Sequence, residues 1–568
     1  MDHIVKNRMM KRLRFVYGEA SPLIFEDLEK LIGAYHGRIV AAKTGWSEKD
    51  SFLIAYGGSV TGGKNPLSTL HGFLKENFKD EISFVHLLPF YPYSSDDGFS
   101  VIDYREVRQE LGGWDDIHAL GNDFKLVFDG VINHVSSRSR YLKEYLAGNP
   151  EYAGYFISLA PDTDTSSVLR TRNLPLLHDY DSEDGKKWLW TTFSRDQVDL
   201  NFANPKVLLE IVDILLFYAA HGATMIRLDA IPYMWKKLGT SCAHLPETHE
   251  LIRLFRDVLD VAAPHVILLT ETNVPHHENI VYFGNAGDEA QIIYNFTLAP
   301  LILWSICKQD ATVLSDWAAG VKKVSDRTTF LNITATHDGI GVRPTEGILT
   351  ADERVELCEL ARRHGGDITG KRNSDGSISP YELNINYFDA INDPGADESL
   401  ELQIRRFMLS QTVPMSFIGI PGIYIHSLLG SRNWTEGVKQ TGRARTINRE
   451  ILNVEGLETE LRNKKSIRAK VADEYKRLLK IRSKCRAFHP GSPQEVMKLS
   501  PKLLCLRRWT GDGMEELFAI HNMSSEEVSC LLPQSAGGYR DLISGKTFNA
   551  GGIAVPALTA LWLVPMER

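Results

Sequence analysis

The sequence predicts an α/β protein built on a closed (β/α)8 TIM barrel, with an inserted domain after the third strand, a second insertion after the seventh and an antiparallel β-domain at the C-terminus. Three observations predict it. Eight short apolar runs recur, at 52–57, 84–90, 125–133, 223–230, 266–273, 291–296, 328–338 and 415–425. Amphipathic stretches such as PKVLLEIVDILLFYAAHG (205–222) and ETHELIRLFRDVLDVAA (247–263) separate most of them, and strand–helix alternation of this kind makes a parallel sheet. After HPGSP (489–493) the pattern changes to short strands with turns, among them LLCLRRW, EELFAIHN and ALTALWLV.

In chain order, residues 1–134 form the first part of the barrel and carry the runs FLIAYG, FVHLLPF and KLVFDGVIN. Residues 135–200 are polar and aromatic and form the inserted domain. The barrel resumes over 201–487 with ATMIRLDA, VILLTETN, QIIYNF, TTFLNITATHD and MSFIGIPGIYI. Between the last two lies the insertion 339–405, which holds a helix-like stretch, ADERVELCELARRHGG, and a loop-like one, KRNSDGSISP. Gaps this long are usually functional segments over an active site. Residues 488–568 are the C-terminal β-domain.

Composition narrows the partners. Of the 568 residues, 64 are basic and 72 acidic, a net charge of −8. This argues against nucleic acid or an anionic membrane, which select basic faces. The six cysteines are scattered with no C-x-x-C pair, as structural thiols in a reducing compartment are. The start, MDHIVKNRMMKRLRF, lacks the apolar segment of a secretory signal. VPMSFIGIPGIYIHSLLG (413–430), with two prolines and a histidine, is too short and interrupted to span a membrane comfortably. A cytoplasmic protein acting on small molecules, monomer or homodimer, is expected.

Chemistry in such a barrel sits at the C-terminal strand ends. At the fourth, MIRLDAIPY places Arg227 and Asp229 two positions apart, hence on one side of the strand. A neighbouring guanidinium lowers a carboxyl pKa, so the pair describes an aspartate kept ionised as a nucleophile requires. A buried structural ion pair has the same signature. Other strand ends are acidic too: Asp129, with Asn133 and His134, after the third; Glu271 after the fifth; His337 and Asp338 after the seventh; Asp96, Asp97 and Phe99 after the second. Two carboxylates in different environments divide into nucleophile and general acid, the requirement of glycosidic cleavage with retained configuration. Asp338 would hold sugar hydroxyls, and His134 and His337 would donate to others. No H-x-x-x-H or H-E-x-x-H spacing suggests a metal.

DGVINH, RLDAI, TET and ATHD, in this order, resemble the four signature regions of the α-amylase family of glycoside hydrolases (glycoside hydrolase family 13), and the likeness runs over nearly the whole chain. It implies Asp229 as nucleophile, Glu271 as acid/base and Asp338 as transition-state stabiliser, with Arg227, His134 and His337 lining a glucose subsite. SSDDGFSVIDY, WTTFSRDQVDLNF and RARTINRE resemble segments of the sucrose phosphorylase-like subgroup. By that likeness Asp96, Phe99, Phe193 and Gln197 lie at the glucose. Arg449, with Arg445 as the alternative, would pair with the early aspartate and close the pocket behind one sugar unit. Tyr233 and Arg172, with Arg170 nearby, would bind phosphate. MWKKLGTSCAHLPETH, TETNVPHHENIVYFGNAGDEAQ, THDGIGVRPTEGIL and SPYELNINYFDA are most similar to the glucosylglycerate phosphorylases. The activity this implies is reversible phosphorolysis of 2-O-α-D-glucosyl-D-glycerate to α-D-glucose 1-phosphate and D-glycerate, with inorganic phosphate as co-substrate and no metal or organic cofactor. Phosphorolysis of sucrose, sucrose 6′-phosphate or glucosylglycerol is the alternative, as is a sucrose-type transglucosidase or hydrolase. A glycerate carboxylate calls for positive charge on the acceptor side, and Lys236, Arg432 and Arg445 are the candidates.

Overall fold

The computed structural model describes residues 2–566 apart from 44, 171, 374–375, 534–536 and 550. Eight parallel strands close into the barrel: β1 Phe52–Tyr56, β2 Phe84–Leu88, β3 Lys125–Gly130, β4 Ala223–Leu228, β5 Ile267–Thr270, β6 Ile292–Asn295, β7 Thr329–Ile333 and β8 Ile420–Tyr424. Each pairs with its neighbours in sequence, and β1 closes the ring against β8. Because the interior and the helix-covered exterior are both apolar, the strands are buried on both sides; β2, β5, β6, β7 and β8 are buried at every position. This is why they read as runs rather than as alternating patterns.

The helices follow from local chemistry. Asn204 caps Pro205–Ala220 by accepting the Lys206 N–H, and Pro205 starts it where an N–H has no partner to lose. Its Val207, Leu208, Ile211, Val212, Leu215 and Ala219 are buried, the spacing of one helical face. A fully buried Leu or Ile of this kind is worth about 1.5–3 kcal/mol. An N-terminal helix, His3–Tyr17, lies on the helix Pro246–Ala262, held by Arg8 and Arg12 to the buried Asp257, each at 2.6 Å.

Two local expectations are corrected. The last apolar run, 415–425, is not one strand: its first residues finish the helix Leu400–Ser416, and β8 begins only at Ile420. The end of that helix is buried all round, and apolarity alone does not separate such a helix from a strand. The stretch KRNSDGSISP is no plain loop, because it joins two antiparallel strands, Asp367–Arg372 and Ile378–Asn384, with 374–375 outside the described residues.

Between β3 and β4 the inserted segment contributes a three-stranded sheet of Ser158–Leu159, Leu177–Ser182 and Gly185–Trp190, and a ribbon pairing His134–Ser136 with Gln197–Asp199. At the C-terminus a six-stranded antiparallel sheet runs from Gln494–Met497 to Thr547–Phe548.

Candidate active site

Strand register builds the floor. β3 and β4 pair with Arg227 level with Asp129, so both side chains point into the barrel. Arg227 Nη1 donates to Asp129, and to Asp229 Oδ1 at 2.9 Å. His86 on β2 meets the other Asp129 oxygen at 2.8 Å. Burial opposes charge at Asp129, yet Arg227 and His86 together hold its carboxyl below the usual range. The guanidinium lies 5.5 Å from the Phe99 ring and 5.8 Å from that of Tyr294.

Three carboxylates stand above this floor. Asp229 follows β4 directly, and its N–H donates to Gly130 O at 3.1 Å. Glu271 follows β5, with its Oε2 accepting the Ala230 N–H at 3.3 Å. Burial raises both. Glu271 is pushed up to about 7, with Asp229 and Asp338 adding to the rise and Arg227 and the Ala230 N–H opposing it. At Asp229 the rise is opposed first by Arg227 and then by His134. The sequence led to the expectation that Arg227 would set Asp229 low, whereas burial outweighs it and the net direction is upward. The division of labour stands for another reason. Asp229 touches a guanidinium and Glu271 a neutral amide, so a proton shared between them resides on Glu271. Asp338 goes the other way: burial would raise it, but Arg445, whose Nη1 is 2.7 Å from Oδ1, then His337 and Arg449, hold it far below the usual range.

The walls come from loops. His337 stacks on Phe99, ring centres 4.8 Å apart and 3° from parallel. Burial keeps its imidazole well below the usual pKa, hence neutral. Asp96 and Asp97 are both left-handed, with φ of 53° and 49°. At Gly98, φ 116°, a Cβ would stand 2.7 Å from Pro89 O, so only glycine fits there. This turn sends the two aspartates apart. Asp96 faces the cleft and accepts from Gln197 Nε2 at 3.2 Å, while Asp97 pairs with Arg449. Phe193 lies between the His134 and Tyr233 rings, at 5.2 and 5.7 Å. The Arg172 guanidinium is 5.8 Å from the Phe193 ring and 5.5 Å from that of Tyr381.

One cleft therefore gathers Asp96, Phe99, His134, Arg172, Phe193, Gln197, Asp229, Tyr233, Glu271, His337 and Asp338, with Arg227 beneath them. Arg449 is the exception. It pairs with Asp97 rather than Asp96, donates to His337 O at 2.8 Å, and lines a neighbouring cavity with Tyr56 and Trp434. Arg445 is the arginine at the cleft wall, bonded through Nε and Nη2 to Glu382 at 2.8 and 3.0 Å. As acceptor cations, Lys236 and Arg432 are also corrected. Lys236 is buried against Asp199 at 2.8 Å, and Arg432 is paired with the buried Asp389. Sequence reasoning missed Thr272 and Asn273 behind Glu271, and Tyr381 and Glu382 on the hairpin. TETN and SPYELN drew attention as segments without their side chains being assigned. Among the described residues no cluster of three or more His, Cys, Asp or Glu is arranged to hold a metal ion, and no helix is long and apolar enough to cross a membrane.

Comparison with known proteins follows the same lines. Residues 80–338 match the α-amylase catalytic domain. The chain is 43% identical to a glucosylglycerate phosphorylase of Spirochaeta thermophila over 98% of both proteins. The chain belongs to the α-amylase family. A second glucosylglycerate phosphorylase, from Allomeiothermus silvanus, is also 43% identical, over 99% of each chain. Among solved structures, that of sucrose 6F-phosphate phosphorylase from Thermoanaerobacter thermosaccharolyticum superposes with a TM-score of 0.73 at 24% identity, covering 85% of this chain and 95% of that one. The family match ends at Asp338, the last of the three carboxylates.

Proposed function

We propose that this chain is a retaining α-glucoside phosphorylase that converts 2-O-α-D-glucosyl-D-glycerate and phosphate to α-D-glucose 1-phosphate and D-glycerate, reversibly. The observation that carries the reading is the 43% identity, end to end, with two enzymes of that name. The cleft supports the same chemistry. Asp229, charged beside Arg227, attacks the anomeric carbon while Glu271, protonated near neutral pH, gives its proton to the departing glycerate oxygen. A phosphate oxygen then attacks the β-glucosyl-enzyme as its proton passes to Glu271, the bond to Asp229 breaks, and two inversions leave the product α. Asp338, Asp96, Gln197, His134 and His337 surround the sugar, and Phe99 and Phe193 give it apolar faces. Arg172 and Tyr233 form the phosphate side, with Arg343 beside the Tyr233 phenol. The reaction uses no metal or organic cofactor. Its demand for phosphate, and six unpaired cysteines, suit the cytoplasm.

The test supplies α-D-glucose 1-phosphate with D-glycerate, L-glycerate, glycerol, fructose or fructose 6-phosphate and measures phosphate release. Preference for D-glycerate is expected. Preference for fructose would reassign the acceptor and leave the double displacement intact.

A further inference from the structure

Lys236 lies in the loop after β4 with its side chain only 3% exposed. Its ammonium stands 2.8 Å from Asp199 Oδ2 and 2.9 Å from Asn133 Oδ1. Asp199 is saturated: it also accepts the Thr192 N–H and hydroxyl, each at 2.7 Å, and Asn133 Nδ2 at 3.0 Å. The same Nδ2 lies 3.2 Å from His134 Nδ1, and His134 Nε2 lies 2.8 Å from Phe99 O.

Donor and acceptor rules order this chain of contacts. An ammonium only donates, so the atom of Asn133 that faces Lys236 is its oxygen. The amide NH2 is thereby turned to Asp199 and His134, and it too only donates, so His134 Nδ1 accepts. In the neutral ring the one proton then sits on Nε2, on the cleft side, where it can serve the Phe99 carbonyl or a sugar hydroxyl. Gln197 Nε2 is 3.3 Å from the same nitrogen, but its two hydrogens go to Asp96 and the Phe99 carbonyl, at 3.2 and 3.1 Å. We infer that Lys236 is a positioning residue which, through Asn133, fixes the His134 tautomer that donates into the sugar site. The functional half of this inference rests on the glucose reading of the cleft; the tautomer half does not. Without the ammonium, Asp199 becomes a buried carboxylate lacking its counter-charge. The Asn133 oxygen loses its donor as well, which removes the reason for the amide to keep its orientation.

The experiment is nitrogen-15 NMR of histidine-labelled enzyme, with the His134 signals assigned by their loss in His134→Gln, and is repeated on Lys236→Met. In the wild type His134 should show a bare Nδ1 and a protonated Nε2. A protonated Nδ1 there overturns the inference whether or not Lys236→Met folds. In Lys236→Met the single tautomer should be lost, with KM for α-D-glucose 1-phosphate raised at least about tenfold and kcat held within about threefold. An unchanged spectrum and KM in that variant overturn it equally. The expected spectra in an enzyme that turns over no glucosyl donor would support the tautomer assignment and overturn the function proposed above.

Discussion

Replacing Glu271 by Gln should stabilise the protein above neutral pH and leave it unchanged in acid. Folding moves this carboxyl from 4.5 to about 7, chiefly through burial. At about 1.4 kcal/mol per tenfold change in proton affinity, that amounts to about 3 kcal/mol. The sign follows from the raised folded pKa. Below 4.5 both states hold the proton, and the contribution of the group is fully present. As pH rises from 4.5 towards 7 the unfolded chain ionises first, and stability is lost until the folded state ionises too. Gln keeps the bond from the Ala230 N–H and cannot ionise, so the variant escapes this loss. For a chain of 568 residues, with an unfolding entropy of about 2 cal/mol/K per residue, the gain is a Tm higher by about 2–3 °C. Thermal unfolding of both proteins at pH 5 and pH 8 measures it. At pH 8 the same variant should lose turnover by roughly 10²–10⁴, as expected when a general acid is removed. A Tm difference that is the same at the two pH values would refute the argument, because it would place the Glu271 proton elsewhere.

Three other outcomes follow from the geometry. Asp229→Asn should lower glucosyl transfer on the order of 10⁴-fold, and a fluorinated glucosyl donor should label the wild-type peptide containing Asp229; a label mapped to another carboxylate would contradict the mechanism. Arg172→Ala should raise KM for phosphate roughly 10- to 100-fold through loss of a charge-assisted hydrogen bond, with KM for the glucosylglycerate donor little changed; equal effects on both would move Arg172 off the phosphate side. The neighbouring aspartates should part company, Asp96→Ala raising the donor KM by about tenfold or more and Asp97→Ala lowering Tm with less effect on KM. The reverse pattern would mean that Asp97, not Asp96, meets the sugar.

The barrel was legible because strands buried on both faces appear as short apolar runs, and the three carboxylates because each follows such a run. What was not legible shares a cause. Arg445 lies within one short turn, Ala444–Asn448, and Arg449 directly follows it, and sequence does not say which of two nearby arginines faces the cleft. The outcome depends on Glu382 and Asp338 claiming one and Asp97 the other. Lys236 read as an acceptor-side cation because its counter-ion, Asp199, belongs to the inserted segment, and only folding brings the two together. Asp229 was placed by its guanidinium neighbour, but desolvation is a property of the closed barrel and has no signature in the strand itself. The end of the helix Leu400–Ser416 read as strand because burial on all sides erases the helical period.

The bond between Asp97 and Arg449 joins positions 352 residues apart. During synthesis the early aspartate leaves the ribosome long before its partner exists, and Asp338 is likewise made before Arg445 can restrain it. A chain that stops short of the segment after β8 lacks the cations that restrain Asp97 and Asp338. The restraint on both aspartates is thus the last part of the site to be made.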